Sequence, residues 1–128
     1  MENSLPFTVE GITWHALTLE QDAFDQMSKM VTEQFGLKPM MELDGVKVYP
    51  MNNGTILELY LPDKVPAYGY NGSVAFGYRV SDIEAASEAL EKAGFELLGE
   101  ITRVEEMKYA FRHFKGKDGK VYGLNEQK

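Results

Sequence analysis

Gly54-Thr-Ile-Leu-Glu-Leu59 and, 65 residues further on, Gly119-Lys-Val-Tyr-Gly-Leu124 carry one pattern: a glycine, a run of β-prone residues and a closing leucine. Each glycine follows a turn-forming residue, Asn53 or Asp118, and such pairs between apolar runs are the strongest short-range signal for a β-hairpin. The repeat extends outward to the segments before these hairpins. Phe24, Met27, Val31 and Phe35 recur at helical spacing, which predicts an amphipathic helix over Gln21 to Phe35, stopped by Gly36. Ile83, Ala86, Leu90 and Ala93 do the same over Asp82 to Ala93, ended by Gly94, 58 residues after Gly36. Ser81 and Glu84 stand at capping-box spacing at the start of this second helix.

A third turn pair, Asp44-Gly45, divides the segment after the first helix. The remaining chain then reads as strands over Ile12 to Leu19, Lys38 to Leu43, Val46 to Met51, Thr55 to Leu61, Ser73 to Val80, Phe95 to Val104, Met107 to Phe114 and Lys120 to Glu126. All three turns are expected to be type I′, with positive φ at both central residues. The order is βαβββ twice, and internal duplication is the economical account of it. One four-stranded module with one helix leaves a sheet face uncovered, and pairing two modules resolves that. The expected fold class is α+β: two tandem βαβββ modules forming curved mixed sheets around a cleft, with helices on the outer faces. We expect one domain over residues 1–128, with module one at about 11–62, a connector at 63–71 and module two at about 72–127. Tyr68 and Tyr70 in the connector are expected to be exposed, at the cleft mouth or a dimer seam.

Composition narrows the function classes. The 128 residues are 44% apolar, enough for a core, and hold 13 basic against 20 acidic side chains, a net charge of −7. Residues 1 to 64 carry 4 basic and 10 acidic groups, and residues 65 to 128 carry 9 and 10. This balance argues against a nucleic-acid groove, which needs a basic stripe. Lys108, Arg112, Lys115, Lys117 and Lys120 make one basic stretch, read as lysines guarding a solvated hairpin. With no cysteine there is neither a disulfide framework nor a thiolate site. No run is long and apolar enough for a membrane span, and the start lacks an export signal, so a cytoplasmic protein is expected. No phosphate loop, metalloprotease helix or serine elbow is present.

Strand parity selects the candidate site. On the fourth strand Leu57, Leu59 and Leu61 share one face, which places Glu58 and Tyr60 on the other. On the first strand His15 shares a face with Leu17 and Leu19; if those leucines pack under the helix, Trp14 points into the cleft instead. His15 is read as a buried or pocket-lining histidine rather than a metal ligand. Arg79 alternates with Tyr78 and Val80, on a face with the small residues Ser73, Ala75 and Gly77, which leaves room for an organic ligand. Tyr109, Phe111 and His113 on the seventh strand supply stacking surfaces. Glu58 needs solvent or a cation such as Arg79 or Arg112, and apolar surroundings would raise its pKa toward the range useful for proton transfer.

With Val80-Ser-Asp-Ile-Glu-Ala-Ala86 opening the second helix and Phe114-Lys-Gly-Lys-Asp-Gly119 before the last strand, the duplicated chain resembles the vicinal oxygen chelate superfamily. That superfamily includes glyoxalase I, extradiol dioxygenases, fosfomycin-resistance enzymes and bleomycin-resistance proteins. The resemblance spans about Ile12 to Glu126. It implies a divalent metal held by a His near the start of the first strand and a Glu on the last strand of each module. Glu58 stands at one carboxylate position, Gly123 at the other, and Ala75 or Ser73 at the second His position. We therefore expect no metal and no cofactor. The expected function is a small-organic-molecule binding protein, with Glu58 in any catalytic role and Trp14, His15, Tyr60, Arg79, Tyr109, Phe111 and His113 contacting the ligand. Two alternatives are a metal-dependent lyase, isomerase or dioxygenase using His15 and Glu58 with further ligands such as His113 or Glu126, and a non-catalytic interaction module. The resemblance also implies a homodimer, with no nucleic-acid or membrane partner.

Overall fold

The computed structural model describes residues 5–66, 69–70 and 74–128. Among the described residues there are eight strands and two α-helices, in the order β1 (Val9–Thr18), α1 (Gln21–Lys29), β2 (Met41–Leu43), β3 (Val46–Pro50), β4 (Ile56–Tyr60), β5 (Val74–Val80), α2 (Ile83–Lys92), β6 (Glu96–Val104), β7 (Tyr109–Lys115) and β8 (Val121–Gln127). This is the α+β pattern of two βαβββ modules. The chain divides into two compact units: one is Thr13–Phe76, the other Gly77–Lys128 with the described residues up to Ile12. No helix among the described residues is long and apolar enough to cross a membrane.

In the first unit the strand order is β2-β3-β4-β1. The three strands after the helix form an antiparallel meander, and β1 lies parallel to β4 with Ala16 opposite Glu58. Helix α1 covers one face through Phe24, packed with Val31, Tyr49 and Leu59 and flanked by Leu17, Leu57 and Leu61. Burying each such side chain contributes about 1.5–3 kcal/mol before entropy is subtracted. The helix does not continue as α to Phe35. Residues Met30–Gln34 widen into π geometry, with the Phe35 N–H donating to the Met30 carbonyl. This turn displaces Phe35 from the apolar stripe, leaving it 62% exposed where helical spacing predicts burial. Gly36, at φ +71, then reverses the chain.

In the second unit the order is β5-β8-β7-β6, the same arrangement in the other module, with β5 parallel to β8 and Gly77 opposite Gly123. That approach requires glycine: a Cβ on Gly77 would lie 2.9 Å from the Gly123 carbonyl oxygen. Helix α2 packs Ile83 and Ala86 against Val80, Ala110, Phe114 and Leu124. Its N-cap is Asp82, which accepts from the Ala85 N–H at 3.1 Å. The Ser81–Glu84 capping box does not form. Ser81 instead accepts from the Thr8 N–H at 2.8 Å, while Glu84 binds Arg103. Thr8 and Ser81 exchange a second bond, from the Ser81 N–H to the Thr8 carbonyl. The first strand therefore begins earlier than residue 12, because its leading residues have this partner.

The hairpins fall where the turn pairs place them, but their geometry differs from type I′. Among the described residues the only non-glycine with positive φ is Lys108, at φ 51, so Asp44, Asn53 and Asp118 are not left-handed. Asn53 and Asp118 use their side chains instead, accepting from the N–H two residues on, Thr55 and Lys120. Such Asx turns satisfy the chain reversal with one left-handed glycine rather than two left-handed residues.

Candidate functional site

The pairing of β1 with β4 is unbroken from Trp14 opposite Ile56 to Thr18 opposite Tyr60. No bulge therefore changes the alternation of side chains over this stretch. Leu17 and Leu57 face α1, so His15 lies on that face too, and Trp14, Ala16, Glu58 and Tyr60 lie on the opposite one. His15 and Glu58 cannot converge on one ion from opposite faces of a sheet.

On the face away from α1 the Tyr60 hydroxyl donates to Glu58 Oε1 at 2.8 Å, and the Trp14 side-chain N–H donates to the same carboxyl. Burial pushes the Glu58 pKa above 4.5, and the two donors partly oppose that rise. Trp14 is 6% exposed. Tyr70 is buried, contrary to the expectation of an exposed connector residue. Its ring meets Trp14 and Tyr60 edge-on, at centroid distances of 5.5 and 5.6 Å. Buried Trp14 and half-buried Tyr60 present rings on which a third packs, a tertiary effect that connector composition does not reveal. Tyr68 and Ser73 lie outside the described residues.

In the second unit β7 pairs with β8 so that His113 is opposite Gly123, Phe111 opposite Asn125 and Tyr109 opposite Gln127. Arg79 is opposite Asn125 on β5 and β8. Tyr109, Phe111, His113 and Arg79 therefore share the face away from α2. The rings form a ladder, Tyr109 to Phe111 at 6.1 Å and Phe111 to His113 at 5.7 Å. Burial lowers the His113 pKa from 6.5 to about 4, so its imidazole is neutral near pH 7. The cations considered for Glu58 are engaged elsewhere: Arg79 pairs with Glu10 at 3.6 Å, and the Arg112 Nε donates to the Gly99 carbonyl at 2.9 Å. Among the described residues it is the Trp14 and Tyr60 donors that hold Glu58.

The two registers allow a residue-by-residue test of the metal positions. Ala16 opposite Glu58 corresponds to Gly77 opposite Gly123, which makes Gly123 the counterpart of Glu58 and Ala75 the counterpart of Trp14. Neither Ala75 nor Gly123 has a donor atom in its side chain, and an indole N–H only donates. Glu126, the other carboxylate considered, accepts the Ile83 N–H at 2.8 Å at the start of α2, and lies on the helix side of β8 opposite Ala110. His113 is on the other side of that strand pair. Among the described residues no three His, Cys, Asp or Glu side chains gather where they could hold a metal ion. The residues present do not fit the metal that the fold family implies, since zinc and related ions take three or more protein ligands with an open position.

Two βαβββ modules of one strand order, each with its helix on one sheet face, define a two-module α+β protein of the glyoxalase type. The family model for the glyoxalase/bleomycin resistance protein/dioxygenase superfamily matches residues 13–121, and the chain belongs to that superfamily. No curated protein sequence matches it. Among solved structures it is similar to a glyoxalase/bleomycin resistance protein/dioxygenase superfamily member from Vibrio splendidus 12B01, with 14% identity over 94% of this chain and 100% of that one, TM-score 0.61. It is similar too to a variant of Streptomyces coelicolor methylmalonyl-CoA epimerase in complex with 2-nitronate-propionyl-CoA, at 16% identity over 94% and 99% of the two chains, TM-score 0.65. Methylmalonyl-CoA epimerase from Mycobacterium tuberculosis is 18% identical over 100% of this chain and 93% of its own, TM-score 0.64. At these identities the likeness is one of fold.

Proposed function

We propose that this chain binds a small organic molecule on the Trp14, Glu58 and Tyr60 face, without a divalent metal. The observation that carries the reading is the convergence of an indole N–H and a phenol O–H on Glu58, where the fold family implies a metal ligand. A carboxyl with a raised pKa can hold a proton and donate to a ligand carbonyl, or accept from an amine or hydroxyl. The rings of Trp14, Tyr60 and Tyr70 offer apolar surface beside it. If the bound molecule is also transformed, Glu58 is the residue to carry the proton. Tyr109, Phe111, His113 and Arg79 are proposed ligand contacts on the face of the second unit. Solved structures of this fold include methylmalonyl-CoA epimerase in complex with methylmalonyl-CoA and NH4+, which supports a small-ligand role for such chains.

The test is thermal shift across a library of small organic molecules, in buffer with EDTA. A binder present at a hundred times its dissociation constant should stabilise the protein by about 2.7 kcal/mol. That gain should survive the chelator and shrink in Glu58→Gln. A gain that appears only with added metal would overturn the proposal. We further propose that residues 1–128 act as one domain and that the protein works as a cytoplasmic homodimer. A single cooperative unfolding transition and a dimer mass by light scattering are the expected results.

A further inference from the structure

The strand registers of the first unit extend the Trp14, Glu58 and Tyr60 face outward. Glu58 stands between Ala16 on β1 and Val48 on β3, and Val48 is opposite Met41 on β2. Tyr60 stands between Thr18 and Val46, and Val46 is opposite Leu43. Along these two rows Glu58 is the one group that carries charge near neutral pH; the other side chains are aliphatic, a hydroxyl or a phenol. The face ends on the edge strand β2, where Met41 is 46% and Leu43 60% exposed. A single acid therefore sits in an apolar wall whose margin is open to solvent.

Two polar groups on this face lack what burial demands. Among the described residues no Lys or Arg pairs with Glu58, whose two donors are Tyr60 and Trp14. Lys47, on the neighbouring strand, lies on the α1 side, where it binds Ser28 and Glu42. A carboxylate offers about four acceptor positions, so two donors leave others free. Thr18 Oγ1 is buried and makes no hydrogen bond. Thr18 is one row along the same face from Glu58, so one ligand head group can reach both side chains. Glu58 itself is only half-buried and is reachable from solvent. The missing partner is a cation with several N–H groups. An anion is repelled by the carboxylate, and a neutral donor leaves its charge uncompensated. An ammonium supplies the charge and three donors, and the fold has already taken most of the carboxyl out of water, so binding adds chiefly the desolvation of the ammonium.

Resting on the reading that this face is the ligand site, we propose that its ligand is an aliphatic primary amine, the ammonium held by Glu58 and Thr18 and the chain crossing Val46 to Leu43. Two strand spacings, about 10 Å, separate β4 from β2, which suits an alkyl chain of medium length. The experiment is isothermal titration calorimetry of the full chain, in EDTA, with n-octylamine, n-octanol, octanoate and n-propylamine. n-Octylamine should bind at least about tenfold more tightly than n-octanol or n-propylamine, and octanoate should not bind. Glu58→Gln and Thr18→Val should each weaken n-octylamine about tenfold. Thr18→Val removes a buried hydroxyl that has no partner, so it should not lower the melting temperature. Leu43→Ser, at an exposed position, should narrow the gap between n-octylamine and n-propylamine. Binding of n-octanol or octanoate as tight as that of the amine, or unchanged amine affinity in Glu58→Gln or Thr18→Val, would overturn the proposal. So would a Leu43→Ser variant in which only a dimer mass is lost, the result of a second copy seated on β2. If other molecules stabilise the protein in thermal shift and n-octylamine does not bind, the amine proposal fails and the ligand-site reading stands; if no molecule binds, that reading fails as well.

Discussion

Glu58 makes stability depend on pH in a direction opposite to that of an ordinary surface carboxylate. Its pKa is raised in the folded protein above 4.5, chiefly by burial. Between 4.5 and the folded value the native state binds more proton than the unfolded chain, so stability falls as pH rises through that window and levels off above it. One whole proton of difference corresponds to about 1.4 kcal/mol per pH unit, the steepest slope this group can give. For a chain of this size that is about 5 °C of melting temperature per pH unit. Glu58→Gln keeps the shape and a hydrogen-bonding side chain but does not titrate. The assay is the melting temperature of both proteins from pH 4 to 8, with an NMR titration of the Glu58 carboxyl. The difference curve should fall with rising pH and flatten once the carboxyl is ionised. Tyr60→Phe removes the 2.8 Å donor, so it should move the titration to still higher pH. Parallel stability curves for wild type and Glu58→Gln, or a carboxyl midpoint at or below 4.5, would refute the reasoning.

His113 should act in the other sense. Its pKa is lowered from 6.5 to about 4, so stability is lost as pH falls through that interval, by roughly 3 kcal/mol if the shift is fully expressed. His113→Gln should remove that slope in acid melting curves. Gly77→Ala places a Cβ 2.9 Å from the Gly123 carbonyl oxygen and should cost about 1–3 kcal/mol in denaturant unfolding. Tyr49→Phe removes the hydroxyl that lies 3.3 Å from buried Ser28 Oγ and 2.9 Å from Thr32 Oγ1 and should cost about 1–3 kcal/mol, with little change at the Glu58 face.

Features with a local cause were legible in the sequence. Gly36 and Gly94 end helical segments because a left-handed residue closes them, and both have positive φ. The three turn pairs divide the meanders correctly because chain reversal needs their residue types. The duplicated order follows, and with it the superfamily. Features decided by a distant neighbour were not legible. Ser81 could have capped α2, but Thr8 takes its hydroxyl and Asp82 serves instead. Phe35 has the spacing of a core residue, but the π turn rotates it outward. At the site, parity correctly separates Trp14 from His15, and the rise in the Glu58 pKa has the expected direction. The partners of Glu58 were missed, since parity says which side chains share a face but not which donate across it. Tyr70 was missed because nothing near it in sequence specifies the rings it covers.

Trp14 is the only tryptophan in the chain, and its indole N–H is bonded to Glu58, so its fluorescence reports on the proposed site directly. The decisive measurement is titration of that emission, in EDTA, with a molecule that stabilises the protein in thermal shift. The account predicts a saturable change in intensity or wavelength that Glu58→Gln weakens. Trp14 emission that stays constant while the molecule binds, or responds only after divalent metal is added, would contradict it.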